Sequence, residues 1–215
     1  MPFSIDLQGT VIISGGNRGL GFAISKLVAK SGANVAILFR GSKDAHDRAA
    51  DIAKEFNVKA KAYQCDVGDE KRVNDVYEEI TKDFGQITGL VANAGVSVPK
   101  PAFEQDASSF DYVMKTNVLG TFNLAKVVAK KWSTTGFKKG SIVVVSSMSS
   151  QIYNVQSAGE PLPQIFYNAS KAAVSSVAKG LAAEWAPYGI RVNILSPGFI
   201  KTDQTQGMLR SLEYT

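Results

Sequence analysis

Val11-Ile12-Ile13-Ser14-Gly15-Gly16-Asn17-Arg18-Gly19-Leu20-Gly21 joins three kinds of local structure in one short run. Val11-Ile12-Ile13 is continuous and β-branched, the pattern of a strand buried on both faces. Glycines follow at once in the spacing G-x-x-x-G-x-G. Leu20, Ala23, Ile24, Leu27 and Val28 then recur at helical spacing as an inner face, and Gly32 stops the helix. The first glycines allow a tight turn, and the later ones let backbone approach a phosphate and helix approach strand. The helix N-terminus supplies N–H groups and a positive dipole, so the order strand, glycine turn, helix predicts a pyrophosphate site. Gly15, Asn17, Arg18, Gly19, Leu20 and Gly21 are its candidate contacts.

The same alternation continues outward from this run. Asn34–Phe39 reads as a second strand, and a helix from about Asp44 to Phe56 leads to a third strand, Lys59–Cys65. A helix from about Asp69 carries Val73, Val76, Ile80 and Phe84 on one face and stops at Gly85. Gly89–Ala92, Ser141–Ser146 and Arg191–Leu195 are further strands, with a long helix from about Ser109 to Trp132 between the first two. Strands alternating with amphipathic helices predict an α/β fold, a doubly wound parallel sheet in a single domain over residues 1–215.

In such sheets ligands bind beyond the carboxyl ends of the strands, which marks the residues found there. Arg40 follows the second strand, where an acid that grips a ribose 2′-hydroxyl would indicate NAD. Two guanidinium groups, Arg40 and Arg18, suit a 2′-phosphate instead. Asp66-Val67 ends the third strand, placed to accept from an adenine amino group or to cap the next helix. Asn93-Ala94-Gly95 follows the fourth strand and passes close to a ligand. Ser147 follows the fifth, and Pro197-Gly198 with Thr202 lies in the loop after the last.

Tyr167 and Lys171 are one turn apart on the helix after Glu160-Pro161-Leu162-Pro163, so they share a face. A free phenol titrates near pH 10, and a nearby ammonium favours the phenolate. The pair is a candidate proton donor and acceptor. Asn117 lies within the long helix although asparagine is a poor helix former, so it is either solvent-exposed or marks a local break serving the site.

Composition narrows the function. Hydrophobic residues make up 45% and charged residues 20%, and the net charge is +5 without a long basic run. Small phosphate-bearing molecules account for that excess, and nucleic acid is not indicated. Cys65 is the only cysteine, which excludes an intrachain disulfide. With His46 the only histidine, no metal site is suggested. No apolar run reaches membrane-spanning length and the N-terminus shows no secretory pattern, so a cytoplasmic location is expected.

The ordered set Ser14-Gly15-x-x-x-Gly19-x-Gly21, Asp66-Val67, Asn93-Ala94-Gly95, Asn117, Ser147, Tyr167-x-x-x-Lys171 and Pro197-Gly198 resembles the short-chain dehydrogenase/reductase family over almost the whole chain. Ser146-Ser147-Met148-Ser149, the long Ser147-to-Tyr167 spacing and Gly180–Pro187 further resemble the fungal NADP-dependent polyol dehydrogenases and ketose reductases. The resemblance implies a Rossmann fold and an NADP(H) cofactor. Tyr167 would be the general acid in reduction and the base in oxidation, with Ser147 positioning the carbonyl. Lys171 would lower the tyrosine pKa and bind the nicotinamide ribose, and Asn117 would support a proton-relaying water. Thr202 and Pro197-Gly198 would hold the carboxamide end of the nicotinamide.

The implied reaction is reduction of a small ketose to its polyol, with fructose to mannitol as the leading case and sorbose and xylulose as others. Other readings stay open: a reductase of another small ketone or 3-oxoacyl substrate, or an NADP-binding protein with little turnover. Family chains continue beyond Thr215, so the resemblance implies that the usual last strand and part of the substrate lid are missing. A homo-dimer or higher oligomer through the Asn117 and Tyr167 helices is expected, with Arg191–Leu195 as a sheet edge.

Overall fold

The structure is a computed structural model that describes residues 5–155, 159–200 and 202. Six strands form one sheet: β1 (Thr10–Ser14), β2 (Asn34–Phe39), β3 (Ala60–Gln64), β4 (Ile87–Ala92), β5 (Ser141–Val145) and β6 (Arg191–Leu195). All pairings are parallel, in the order β3-β2-β1-β4-β5-β6. The chain winds outward from β1 in one direction and from β4 in the other. The crevice between their carboxyl ends is therefore the topological switch point.

Helices α1 (Gly19–Lys30) and α2 (Ala45–Phe56) cover one face of the sheet. On the other lie α3 (Glu70–Phe84), α4 (Ala107–Met114), α5 (Gly120–Thr135) and α6 (Ile165–Trp185). Two apolar cores result. One packs Ile13, Val35 and Ile37 of the sheet against Val28 and Ile52. The other packs Ile12, Leu90 and Ile142 against Ile80, Val128 and Trp132. Trp132 is fully buried, and its indole N–H donates to the Ile87 carbonyl at 2.8 Å, so burial of the ring orphans no polar group. Among the described residues no helix is long and apolar enough to cross a membrane.

Two expectations need correction. Leu27 and Ala23 are exposed, Leu27 at 63%; the buried face of α1 is Gly21, Ser25, Val28 and Ala29. Close approach of α1 to the glycine turn explains this. The Ser25 hydroxyl bonds the Gly16 and Gly21 carbonyls at 3.0 and 2.9 Å, so a small polar residue faces inward there. The helix expected from Ser109 to Trp132 is not continuous. It starts at Ala107, where Asp106 caps by accepting from the Ser109 N–H, and it is interrupted at Lys115–Leu119 by a π-turn. Asn117 sits in that turn at 1% exposure, so it marks a break. Strand β6 pairs with β5 alone among the described residues. The expected missing strand and incomplete lid concern the chain beyond Thr202, outside the described residues.

Candidate active site

A cleft of about 520 Å³ opens at the switch point. It collects nearly every residue singled out from the sequence. Gly15, Asn17, Arg18, Gly19, Leu20 and Gly21 line one end with Arg40, Asp66 and Val67. Asn93, Ala94 and Gly95 line the middle. Ser147, Tyr167 and Lys171 line the other end with Pro197, Gly198 and Thr202. Asn117 stands behind the wall, not in it.

The glycine turn is shaped by contacts that tolerate no side chain. Gly15 has φ +64°, and a Cβ on Gly21 would lie 2.1 Å from the Gly15 carbonyl oxygen. Ser14 locks this turn to β4. Its hydroxyl accepts from the backbone N–H groups of Asn93 and Ala94, both at 3.0 Å, and the Asn93 amide donates to the Ser14 carbonyl at 2.9 Å. Asn93 is thus a strut between two loops. Ser14 matters as much as the glycines do, and its position between strand and glycine turn is the only sequence signal for it.

Asp66 accepts from the Gly68 N–H at 2.9 Å, turning the chain out of β3, while Asp69 caps α3 by accepting from the Arg72 N–H at 3.0 Å. Between the two roles open to Asp66, helix capping therefore falls to its neighbour. The Asp66 carboxylate remains on the cleft wall.

At the far end, α6 presents Tyr167 and Lys171 one turn apart. The Lys171 ammonium is buried, donates to the Val145 carbonyl at 2.8 Å, and lies 5.6 Å from the Tyr167 ring centroid. Burial pushes its pKa down to about 8. The Tyr167 phenol moves the other way: burial raises it, and a hydrogen bond with Ser147 opposes the rise. The expectation that Lys171 lowers the Tyr167 pKa is not met in this arrangement. The lysine is directed at β5, where it donates to the Val145 carbonyl, and burial dominates the phenol. Ser147 in turn accepts from the Ser149 N–H at 3.1 Å. Ser149 is held by the side chains of Asn154 and Gln164, at 2.6 and 3.3 Å.

Asn117 explains how these parts keep their places. Its side chain accepts from the Val96 N–H at 2.8 Å and donates to the Val96 carbonyl at 2.9 Å, reproducing a strand-like pair. The same amide donates to Ser170 at 2.9 Å, and the Ser170 hydroxyl donates to the Tyr167 carbonyl at 2.7 Å. The loop after β4 is thereby tied to the helix bearing Tyr167. Those three bonds use both N–H groups and one lone pair of the Asn117 amide. Ser170 and Gln164 were not legible as site residues, because polar residues in a helix or loop carry no distinguishing pattern.

The arrangement fits a dinucleotide. The first turn of α1 contains no acidic residue, so its N–H groups are available to an anion. Arg18 and Arg40 are exposed at the rim, and neither pairs with a carboxylate among the described residues.

Residues 9–212 match the short chain dehydrogenase family. The chain is 40% identical over 201 residues to a sorbose reductase of Candida albicans, covering 92% of this chain and 68% of that one. It is 35% identical over 202 residues to an NADP-dependent mannitol dehydrogenase of Aureobasidium melanogenum, covering 92% and 73%. The crystal structure of an NADPH-dependent 3-quinuclidinone reductase from Rhodotorula rubra superposes with a TM-score of 0.84 at 35% identity, covering 93% and 72%. With its motifs gathered in one cleft and nearly its full length matched, the chain belongs to the short-chain dehydrogenase/reductase family of oxidoreductases.

Proposed function

We propose that this enzyme interconverts a small ketose and its polyol with NADP(H), using Ser147, Tyr167 and Lys171. The observation that carries the reading is the shared cleft: a phenol, a serine hydroxyl and a buried lysine at one end, two exposed arginines at the other. The cofactor, when bound, supplies or accepts the hydride.

Ser147 is fixed on one side by the Ser149 N–H, and its own O–H, beside the Tyr167 phenol, would hold the substrate oxygen. Tyr167 gives its Oη proton to that oxygen as negative charge develops there, and takes it back in the oxidative direction. Lys171, close to neutral pH in its titration, is the group through which the phenol is recharged. It would also bind the nicotinamide ribose. Asn117 is a positioning residue: it fixes Val96 and, through Ser170, the first turn of α6. Pro197-Gly198 and Thr202 would hold the carboxamide end, and Asp66-Val67 with Asn93-Ala94-Gly95 would bind the rest of the cofactor. Arg18 and Arg40 grip the 2′-phosphate by charge-assisted hydrogen bonds.

Polyols and ketoses are the substrate class because the relatives named above include a sorbose reductase and a mannitol dehydrogenase. Phe110, Leu119 and Phe122 on α4, the π-turn and α5, and Ile165 on α6, are exposed apolar side chains on the helices that a second copy would cover. A homo-dimer through those helices completes the proposal.

The test is steady-state NADPH oxidation with D-fructose, L-sorbose and xylulose beside a 3-oxoacyl thioester. Turnover of a ketose but not of the thioester supports the reading. Turnover of the thioester alone moves the enzyme to acyl substrates, and NADPH binding without turnover of anything overturns the activity.

A further inference from the structure

The Arg40 guanidinium lies over the ring of Tyr112, 5.4 Å from its centroid. The two residues come from different elements. Arg40 leaves the end of β2, and its carbonyl is held by the Gln64 side chain at 2.9 Å. Tyr112 stands on α4, one turn before Thr116. Arg40, Asp66, Val67 and Thr116 line the cleft. The contact therefore joins α4 to the end of the cleft that carries Arg40. Lys115 repeats the approach from the same helix end: its stem covers Gly68, where an added Cβ would lie 2.8 Å from Lys115 Cγ.

We infer that Tyr112 is a cofactor-specificity residue, which holds the Arg40 guanidinium ready for a 2′-phosphate. This rests on the NADP(H) reading above. A ring takes only the flat face of a guanidinium, so the N–H edges stay free for bidentate contact with a phosphate. A free arginine loses rotamer freedom when it grips its ligand, and one already stacked loses less. Tyr112 itself need not touch the cofactor. NADH offers no phosphate to Arg40, so its use does not depend on the stack.

The experiment measures kcat/KM for NADPH and NADH in wild type, Tyr112→Ala, Tyr112→Phe, Arg40→Ala and the Tyr112→Ala/Arg40→Ala pair. In Tyr112→Ala the NADPH-to-NADH ratio is expected to fall about two- to five-fold, the weight of an exposed cation–π contact. Tyr112→Phe, which keeps the ring, keeps the ratio. In the Arg40→Ala background Tyr112→Ala adds no further change. An equal loss with both cofactors, or the same further drop without Arg40, shows a merely structural residue and overturns the inference. If Arg40→Ala collapses the ratio while Tyr112→Ala leaves it unmoved, this inference alone fails. If Arg40→Ala leaves the ratio unmoved, the NADP(H) reading itself fails, and the role of Tyr112 with it.

Discussion

At the Gly15–Gly21 end of the cleft the working surface is backbone, and its charged arms, Arg18 and Arg40, reach out from exposed positions. At the Tyr167 end the working surface is side chain, and what holds it is buried: Asn117, Ser170 and Lys171 are all 4% exposed or less. The first end is shaped by turns that only glycine permits and by a helix terminus. The second is shaped by a chain of hydrogen bonds running Val96, Asn117, Ser170, Tyr167. A substitution of the exposed arginines at the first end changes what is bound and little else. At the second end a substitution disturbs chemistry and folding together, because buried polar groups left without partners are costly.

The largest effect falls at the second end. Tyr167→Phe removes only the titrating oxygen, so turnover should drop about a hundred- to ten-thousand-fold while NADPH still binds. Cofactor fluorescence beside a kcat measurement separates the two, and a variant that turns over normally would remove the distinction between the ends.

Arg40→Asp probes the first end. Losing hydrogen bonds to a charged group costs about 1.5–3 kcal/mol, so kcat/KM for NADPH should fall roughly ten- to a hundred-fold. NADH should become the better cofactor. Wild type using both cofactors equally well would show that the arginines at the rim are only surface charges.

Stability sharpens the same contrast. Asn117→Ala orphans the Val96 groups, at about 1–3 kcal/mol for each buried group left unsatisfied. Arg18→Ala, at an exposed site, should stay within about 0.5 kcal/mol of wild type. Urea denaturation of both variants reads the difference directly. Equal losses would mean that the buried network does not anchor the second end.

The smallest effect is a pH trend. Burial holds Lys171 near 8 in the folded chain against its ordinary 10.5, so between those values the unfolded chain binds more protons. Lys171 should therefore add stability as pH rises through that window. From about pH 9 the buried Cys65 thiol, pushed up to about 11, opposes this gain. Above the ordinary phenol value of 10.0 Tyr63, Tyr77 and Tyr167 do the same, because they keep protons that the unfolded chain releases. Denaturation between pH 8 and 9 should show a gain in wild type and none in Lys171→Met. A wild type that loses stability across this range would contradict the burial of Lys171.

The two ends also differed in how far the sequence revealed them. Glycine spacing and β-branched runs report on the backbone, so the first two strands, the turn and the α1 terminus were legible from residues 11–39. Tyr167 and Lys171 were legible because helical spacing fixes their shared face. The break at Asn117 was visible as a poor helix former in a helix, but its partners were not. Val96 lies 21 residues away and Ser170 lies 53, and no local pattern announces such pairs. The inner face of α1 was misread for a related reason. Apolar spacing proposed Leu27, whereas the close approach of the glycine turn selected Ser25.

The central claim is that this cleft moves hydride between NADP(H) and a ketose carbon while Tyr167 handles the proton. Its most direct measurement uses NADPH deuterated on the transferring carbon, the best ketose of the substrate panel, and mass spectrometry of the polyol formed. The account predicts one deuterium at the former carbonyl carbon with wild type, and almost no labelled polyol with Tyr167→Phe over the same time. NADPH consumed without label in the polyol, or label appearing equally fast with Tyr167→Phe, would contradict it.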